Sequence, residues 1–171
     1  PVELVLKNCR VVNVFNHSIE EKNIAIDSGK IIGLGDYEGK QTINLNGKYV
    51  VPGLIDSHVH IESSLVTPGH LAEVIVPKGT TTIIADPHEI ANVLGIEGIE
   101  FMLDASRNSP LNVFFMLPSC VPSTEFEHSG ATLLAKDLEP LFAHDKVLGL
   151  GELMDYPGVI EGSDTTLDKV L

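Results

Sequence analysis

Residues Gly79–Glu89 read GTTTIIADPHE, and the predicted fold depends on this stretch more than on any other. The run TTTIIA has no charged residue and is rich in β-branched side chains, which is typical of a strand covered on both faces. Asp86, His88 and Glu89 follow directly, and we expect one strand over TTTIIADPHE, residues 80–89, with these three residues at its end. A buried strand that ends in titratable residues predicts a parallel sheet whose carboxyl edge carries the functional groups.

The same pattern recurs on both sides of this stretch. Three further strands are predicted, at 50–60 (VVPGLIDSHVH), 111–120 (LNVFFMLPSC) and 146–154 (KVLGLGELM). Segments of helical periodicity lie between the strands, at 68–79, 95–108 and 131–144, and a last helix is predicted to begin with Ser163 or Asp164 as its cap. This alternation predicts an α/β fold with a parallel sheet.

Two architectures fit this alternation, a (β/α)8 barrel and a doubly wound sheet. A complete barrel needs about 250 residues, whereas residues 52–171 suffice for about four β/α units. If the region is a barrel, we therefore expect only its first half. The absence of methionine at Pro1, and an end at Leu171 inside a predicted helix, suggest part of a longer protein.

The first 51 residues have a different pattern. Short runs of β-type residues alternate there with turn clusters such as DSGK and NGK, which predicts hairpins. The composition changes at Val51-Pro52-Gly53. We therefore expect a small β domain over residues 1–51 and an α/β domain over residues 52–171.

Composition narrows the class of protein. The 171 residues are 43% hydrophobic and 20% charged, as in globular proteins. No apolar run reaches the ~18 residues of a membrane span, and no signal peptide precedes the first strand, so we expect a cytoplasmic protein without a membrane partner. A net charge of −13 opposes nucleic-acid binding, so a small neutral substrate is expected.

His58 and His60 stand one residue apart in LIDSHVHIESS, residues 54–64. In an extended strand both side chains project to the same side, about 6–7 Å apart along the backbone. Two imidazoles in that arrangement can converge on one ion. A surface strand with two solvated histidines is the alternative that this spacing alone leaves open.

The ends of the other predicted strands extend this set. Ser119 and Cys120 end the third strand, and Glu152 follows Gly149-Leu150-Gly151 on the fourth. Imidazole and carboxylate together favour Zn, Mn, Fe or Co, and a carboxylate can bridge two ions. A metal centre is the leading hypothesis, and a Glu152 paired with a base is the alternative. The remaining histidines are predicted to be structural or exposed: His17, His70, His128 and His144.

Four stretches resemble a known family. VPGLIDSHVHIESSLVTPG, GTTTIIADPHEIANVLG, LPSCVPSTEFEHSGATL and GLGELMDYPGV are similar to the amidohydrolase superfamily and, within it, to the adenine deaminases of purine salvage. The histidine pair is common to many amidohydrolases. DPHEIANV and GELMDYPGV indicate the narrower family.

The resemblance implies a metal-dependent (β/α)8 TIM-type barrel, preceded by a small β-sandwich, that hydrolyses adenine to hypoxanthine and ammonia. His58 and His60 match the first-strand metal ligands, and Glu152 matches the bridging ligand of a binuclear centre that holds Mn or Fe, with Zn possible. Related hydrolases often carry a carboxylated lysine at that position, but VLGLGELM contains no lysine, which favours the deaminases.

The resemblance also places the second-strand residues Asp86, His88 and Glu89 near the substrate, with Glu89 or His88 as a proton-transfer or orienting group. In the superfamily that the chain resembles, the remaining metal ligands and the catalytic base come from strands that would follow Leu171. We therefore expect this chain alone to be inactive. A homo-oligomer is compatible with the resemblance. Two alternatives stay open: another amidohydrolase such as an N-acetylglucosamine-6-phosphate deacetylase, and a non-catalytic metal-binding module.

Overall fold

A computed structural model describes all 171 residues, which form two compact units, Pro1–Pro52 and Gly53–Leu171. The first unit is a five-stranded sheet. Its strands, in chain order, are β1 (Val2–Asn13), β2 (Ser18–Asp27), β3 (Lys30–Leu34), β4 (Gly39–Asn44) and β5 (Tyr49–Val50).

The pairing in this sheet corrects part of the hairpin prediction. The β1–β2 and β2–β3 pairs are antiparallel, as expected for hairpins, but β4 and β5 both pair parallel with β1. The spatial order is β3-β2-β1-β4, and β1 is long enough to accept β4 and β5 one after the other along the same edge. Val5, Cys9, Ile24 and Ala25 are the buried hydrophobic residues of this unit.

The second unit contains the parallel sheet expected from the alternating pattern, and that prediction is confirmed. Its strands are β6 (Leu54–Val59), β7 (Thr80–Ala85), β8 (Asn112–Leu117) and β9 (Val147–Leu150), in the order β6-β7-β8-β9. The helices are α1 (Pro68–Ile75), α2 (His88–Leu94), α3 (Ile96–Ser106), α4 (Ala135–Leu138), α5 (Tyr156–Glu161) and α6 (Asp164–Leu167).

The core of this unit lies between the strands and the helices that follow them. Ile83, Phe115 and Leu117 of the sheet belong to the same buried cluster as Ile99 and Leu103 of α3. The two α3 residues lie four positions apart, so one face of the helix is buried, as the periodicity predicts. None of the helices has both the length and the apolar character needed to cross a membrane.

Prolines explain two differences from the predicted elements. The predicted strand through Glu89 ends at Ala85, because Pro87 has no N–H for the strand ladder, and His88 instead begins α2. The predicted helix over 131–144 is only the four-residue α4 followed by a 3-10 turn (Glu139–Ala143). A helical Pro140 would clash with the carbonyl of Lys136.

The last part of the chain contains one helix that the pattern did not reveal. α5 begins after Asp155, whose side chain accepts a hydrogen bond from the Gly158 N–H at 3.1 Å. The sequence signal is an N-cap aspartate followed by Pro157 in the first turn. α6 begins after Ser163, as predicted.

Two helical glycines give a matched test of this packing. A Cβ on Gly98 of α3 would lie 2.8 Å from the Ile90 carbonyl oxygen, whereas a Cβ on Gly69 of α1 would meet no atom within 4 Å. We expect Gly69→Ala to raise the free energy of unfolding by about 0.5–1 kcal/mol, since alanine has the higher helix propensity. We expect Gly98→Ala to lower that free energy by about 1–3 kcal/mol, because the backbone of α2 must move.

Urea unfolding of the two variants beside the parent chain measures both effects. Equal stability of Gly69→Ala and Gly98→Ala would contradict the close contact of α2 and α3.

Candidate metal centre

The carboxyl ends of β6, β7 and β9 bring together side chains that are far apart in sequence. His58 lies in β6 and His60 just after it, His88 begins α2 after β7, and Glu152 follows β9 by two residues. Because the four strands are parallel, these ends share one edge of the sheet. Glu152 is the residue that the three imidazoles share.

One carboxylate oxygen faces all three rings. Glu152 Oε1 lies 3.6 Å from His58 Nε2, 3.3 Å from His60 Nε2 and 3.8 Å from His88 Nδ1. These separations exceed the 2.7–3.2 Å that is usual for such hydrogen bonds. They are close to the ~3.4 Å that separates two ligands of a tetrahedral ion with bonds of about 2.1 Å. The spacing therefore fits ligands around an ion better than direct hydrogen bonds.

The orientation of His60 also fits metal binding. Its Nδ1 lies 2.9 Å from the backbone carbonyl oxygen of Asp86. A carbonyl oxygen can only accept, so Nδ1 carries the proton and Nε2 of the neutral ring has a free lone pair directed to Glu152. Metal-binding histidines usually donate their other ring N–H in this way.

Asp86 positions this part of the site through its side chain as well. Its carboxylate Oδ2 accepts a hydrogen bond from the Glu152 backbone N–H at 3.2 Å, and the residue is only 3% exposed. Gly151 permits this contact, because any Cβ at that position would overlap the Asp86 carboxylate. Burial raises the pKa of Asp86, while the nearby His88 acts in the opposite direction.

The backbone carbonyl of Glu152 is held by a residue that follows β8. Ser119, which follows β8 and is buried, donates its hydroxyl to the Glu152 carbonyl oxygen at 2.5 Å. The neighbouring Cys120 is a buried free thiol whose sulfur accepts the Asp155 N–H. Ser119 and Cys120 therefore support the loop that carries Glu152 and are not among the residues that face the histidines.

Three buried side-chain atoms have no hydrogen-bond partner: Glu62 Oε2, Asp86 Oδ1 and His88 Nδ1. The last two face each other at 3.5 Å. Unpartnered buried polar atoms are costly, so a pair of them directed into a cluster of ligand-type atoms is the expected arrangement around a cation. Two groups of ligand atoms result, His58-His60-Glu152 and Asp86-His88-Glu152.

Glu89 belongs to neither group. It lies in the first turn of α2, where its carboxylate accepts a hydrogen bond from the Ser63 hydroxyl at 2.5 Å. Beside it, Glu62 accepts the Ile90 N–H at 3.2 Å, and burial raises its pKa. These two contacts join the turn after His60 to the start of α2. The sequence analysis did not single out Glu62 as a residue near the site. The available signal was its position two residues after His60.

The remaining histidines take no part in either ligand group. His70 Nδ1 lies 2.8 Å from the Thr67 hydroxyl at the start of α1, and His144 Nδ1 accepts the Lys146 N–H. His17 and His128 are exposed. Imidazole and carboxylate donors suit Mn, Fe, Co or Zn better than Mg or Ca, which prefer oxygen ligands alone.

Related proteins match nearly the whole chain in sequence. It is 58% identical over 167 residues to an adenine deaminase of Clostridium acetobutylicum, covering 98% of this chain and 29% of that protein. It is 54% identical over 168 residues to an adenine deaminase of Geobacillus kaustophilus, with coverage of 98% and 29%. The chain thus spans 29% of the length of these relatives.

Solved structures share the fold at low sequence identity. A D-hydantoinase from Thermus sp. matches with a TM-score of 0.60 and 22% identity, over 82% of this chain and 31% of that one. An atrazine chlorohydrolase from Arthrobacter aurescens matches with a TM-score of 0.61 and 16% identity, over 92% and 49%. The sequence model of the amidohydrolase family matches residues 49–171. The chain therefore belongs to the amidohydrolase family.

Proposed function

We propose that this chain is part of a metal-dependent enzyme that hydrolyses adenine to hypoxanthine and ammonia. The observation that carries the proposal is the convergence of His58 and His60 on Glu152, with the Nε2 atom of His60 left free by its contact with Asp86. Relatives described as adenine deaminases, at 54–58% identity, support adenine as the substrate. The amidohydrolase resemblance supports an Mn or Fe centre, with Zn as a further candidate.

The proposed architecture follows the same resemblance. Residues 52–171 would form the first four β/α units of a (β/α)8 barrel, and residues 1–51 would form part of a small β-sandwich. The four parallel strands in sequential order support the first assignment. The separate five-stranded sheet supports the second.

In this proposal His58, His60 and Glu152 hold the ion. The chemistry that a divalent cation supplies when bound there is to lower the pKa of water, so that water can attack an electrophilic carbon near neutral pH. The reaction breaks the bond between C6 and the amino nitrogen and forms a bond between C6 and oxygen. Protons from water end on the departing ammonia and on the ring nitrogen of the product.

The other residues position these three ligands. Asp86 fixes the tautomer of His60 through its carbonyl and the backbone of Glu152 through its carboxylate. Ser119 binds the backbone carbonyl of Glu152, so both backbone polar groups of this residue are held. We assign Glu89 an orienting role, because its carboxylate is bound to Ser63 at the start of α2.

Substitution of Glu152 tests the proposal in the full-length protein that contains this chain. Glu152→Gln keeps the size of the side chain but removes its charge, so we expect metal content to fall and ammonia release from adenine to drop to background. Glu161→Gln is the matched control, since Glu161 is exposed on α5. Ammonia release is measured with metal-stripped protein reloaded with Mn or Fe.

Two results would contradict this assignment. Full activity and metal content in Glu152→Gln would remove Glu152 from the ligand set. Parent protein that binds the metal and releases no ammonia from adenine would refute the substrate. Acetate release from N-acetylglucosamine 6-phosphate would then support the alternative hydrolase.

A pair of glycines tests the positioning role of Asp86. We expect Gly151→Ala to raise the dissociation constant for Mn²⁺ about tenfold or more, since the new Cβ displaces the Asp86 carboxylate that orients Glu152. Gly149→Ala is the control, because its Cβ would meet only the flexible end of Met116. Calorimetric titration with Mn²⁺ measures both constants, and equal affinities would contradict the role of Asp86.

A further inference from the structure

The turn after β6 contacts the start of α2 through two side chains, which both belong to the 3-10 turn Glu62–Ser64. Glu62 Oε1 accepts the Ile90 N–H at 3.2 Å, and the Ser63 hydroxyl donates to Glu89 Oε1 at 2.5 Å. We propose that Glu62 and Ser63 are positioning residues, which together fix the first turn of α2 so that Glu89 presents its second carboxylate oxygen to the substrate.

The helix α2 has no cap of its own. Its N-cap residue is Pro87, from which no side-chain cap bond is formed. In most helices the N-cap side chain accepts the N–H of the second or third helical residue. Ile90 is the third residue of α2, and Glu62 accepts its N–H from a separate segment of the chain. Glu62 therefore takes the place of an N-cap side chain and joins the start of α2 to the turn after β6.

Packing alone does not explain a glutamate at position 62. Its second oxygen, Oε2, is buried and has no hydrogen-bond partner within the chain. A buried oxygen without a partner is costly, which offsets much of what the bond to Ile90 contributes to stability. Proteins accept such local costs mainly at functional sites. The placement therefore favours a role for Glu62 in the site over a role in stability alone.

Ser63 determines which oxygen of Glu89 is free. Its hydroxyl binds Oε1, whereas Oε2 makes no hydrogen bond within the chain and is not among the buried atoms without a partner. Glu89 directly follows His88, whose Nδ1 lies 3.8 Å from Glu152 Oε1, so the free oxygen belongs to a residue beside the candidate metal centre. A carboxylate oxygen only accepts hydrogen bonds, and the amino group of adenine is a donor.

The backbone of the turn is itself held in place. Leu65 closes the turn with a φ of 57°, a left-handed conformation that is unfavourable for leucine, and donates its N–H to the Glu62 carbonyl at 2.8 Å. The Ser64 N–H binds the carbonyl of the fully buried Ile61 at 3.0 Å. The side chains of Glu62 and Ser63 therefore start from a fixed piece of backbone, as positioning residues require.

Two neighbouring serines provide a matched test in the full-length protein loaded with Mn²⁺. Ser63→Ala removes the hydroxyl that holds Glu89, so we expect kcat/KM for adenine to fall about ten- to a hundredfold, mostly in kcat, with the Mn content of the parent. Ser63→Thr keeps the hydroxyl and is expected to restore most of this loss. Ser64→Ala is the control, because Ser64 is exposed. Equal kinetics of Ser63→Ala and Ser64→Ala, or no rescue by Ser63→Thr, would overturn the proposal.

Hydrogen exchange tests the contact between the turn and α2 without a substrate. The role of Glu89 in this inference rests on the deamination proposed above, whereas the bond from Ile90 to Glu62 does not. We expect the Ile90 amide to exchange about tenfold faster in Glu62→Ala, and at the parent rate in Glu62→Gln, whose amide oxygen still accepts the N–H. Mass spectrometry of the Mn²⁺-loaded protein measures the exchange.

The two measurements separate the possible failures. Unchanged exchange of the Ile90 amide in Glu62→Ala would overturn the proposal, whatever the substrate is. A parent protein that releases no ammonia from adenine would refute the deaminase proposal, and the exchange rates would still decide whether Glu62 holds the start of α2.

Discussion

The buried carboxylate and carbonyl of Asp86 hold the candidate site together. The carbonyl fixes the proton of His60 on Nδ1, and the carboxylate accepts the backbone N–H of Glu152. One residue at the end of β7 therefore joins the end of β6 to the end of β9. Burying a carboxylate is unfavourable unless its oxygens have partners, and within this chain Oδ2 of Asp86 has one while Oδ1 has none.

The parallel sheet explains why Asp86 can contact both His60 and Glu152. β7 lies next to β6, and the loop after β9 reaches back to Asp86 across the end of β8. Ser119, which follows β8, donates to the backbone carbonyl of Glu152. Each of the four strands thus supplies one element of the site, and Gly151 leaves the space that the Asp86 carboxylate requires.

Much of this arrangement could be predicted from the sequence. The alternation of apolar strands and helical segments predicted the parallel sheet, and the polar residues after the strands were predicted to meet at one edge of it. The period of two placed His58 and His60 on the same side. These inferences succeed because they depend on local pattern and on the common direction of parallel strands.

Other parts depend on tertiary contacts that no local pattern encodes. The pairing of β4 and β5 with β1 follows from long-range register, and so do the contacts of Glu62 and Glu89 with their neighbours. Pro87 and Pro140 were local signals that the strand and the helix end near them, but the prediction followed the hydrophobic pattern instead.

The tautomer of His60 tests the central claim most directly. Two-bond ¹H–¹⁵N NMR correlation of histidine-labelled, metal-free protein distinguishes the two neutral forms, and addition of Zn²⁺ reports on the free nitrogen. The account predicts that His60 carries its proton on Nδ1 and that Zn²⁺ shifts the Nε2 resonance. A His60 protonated on Nε2, or an Nε2 resonance unchanged by Zn²⁺, would contradict the account.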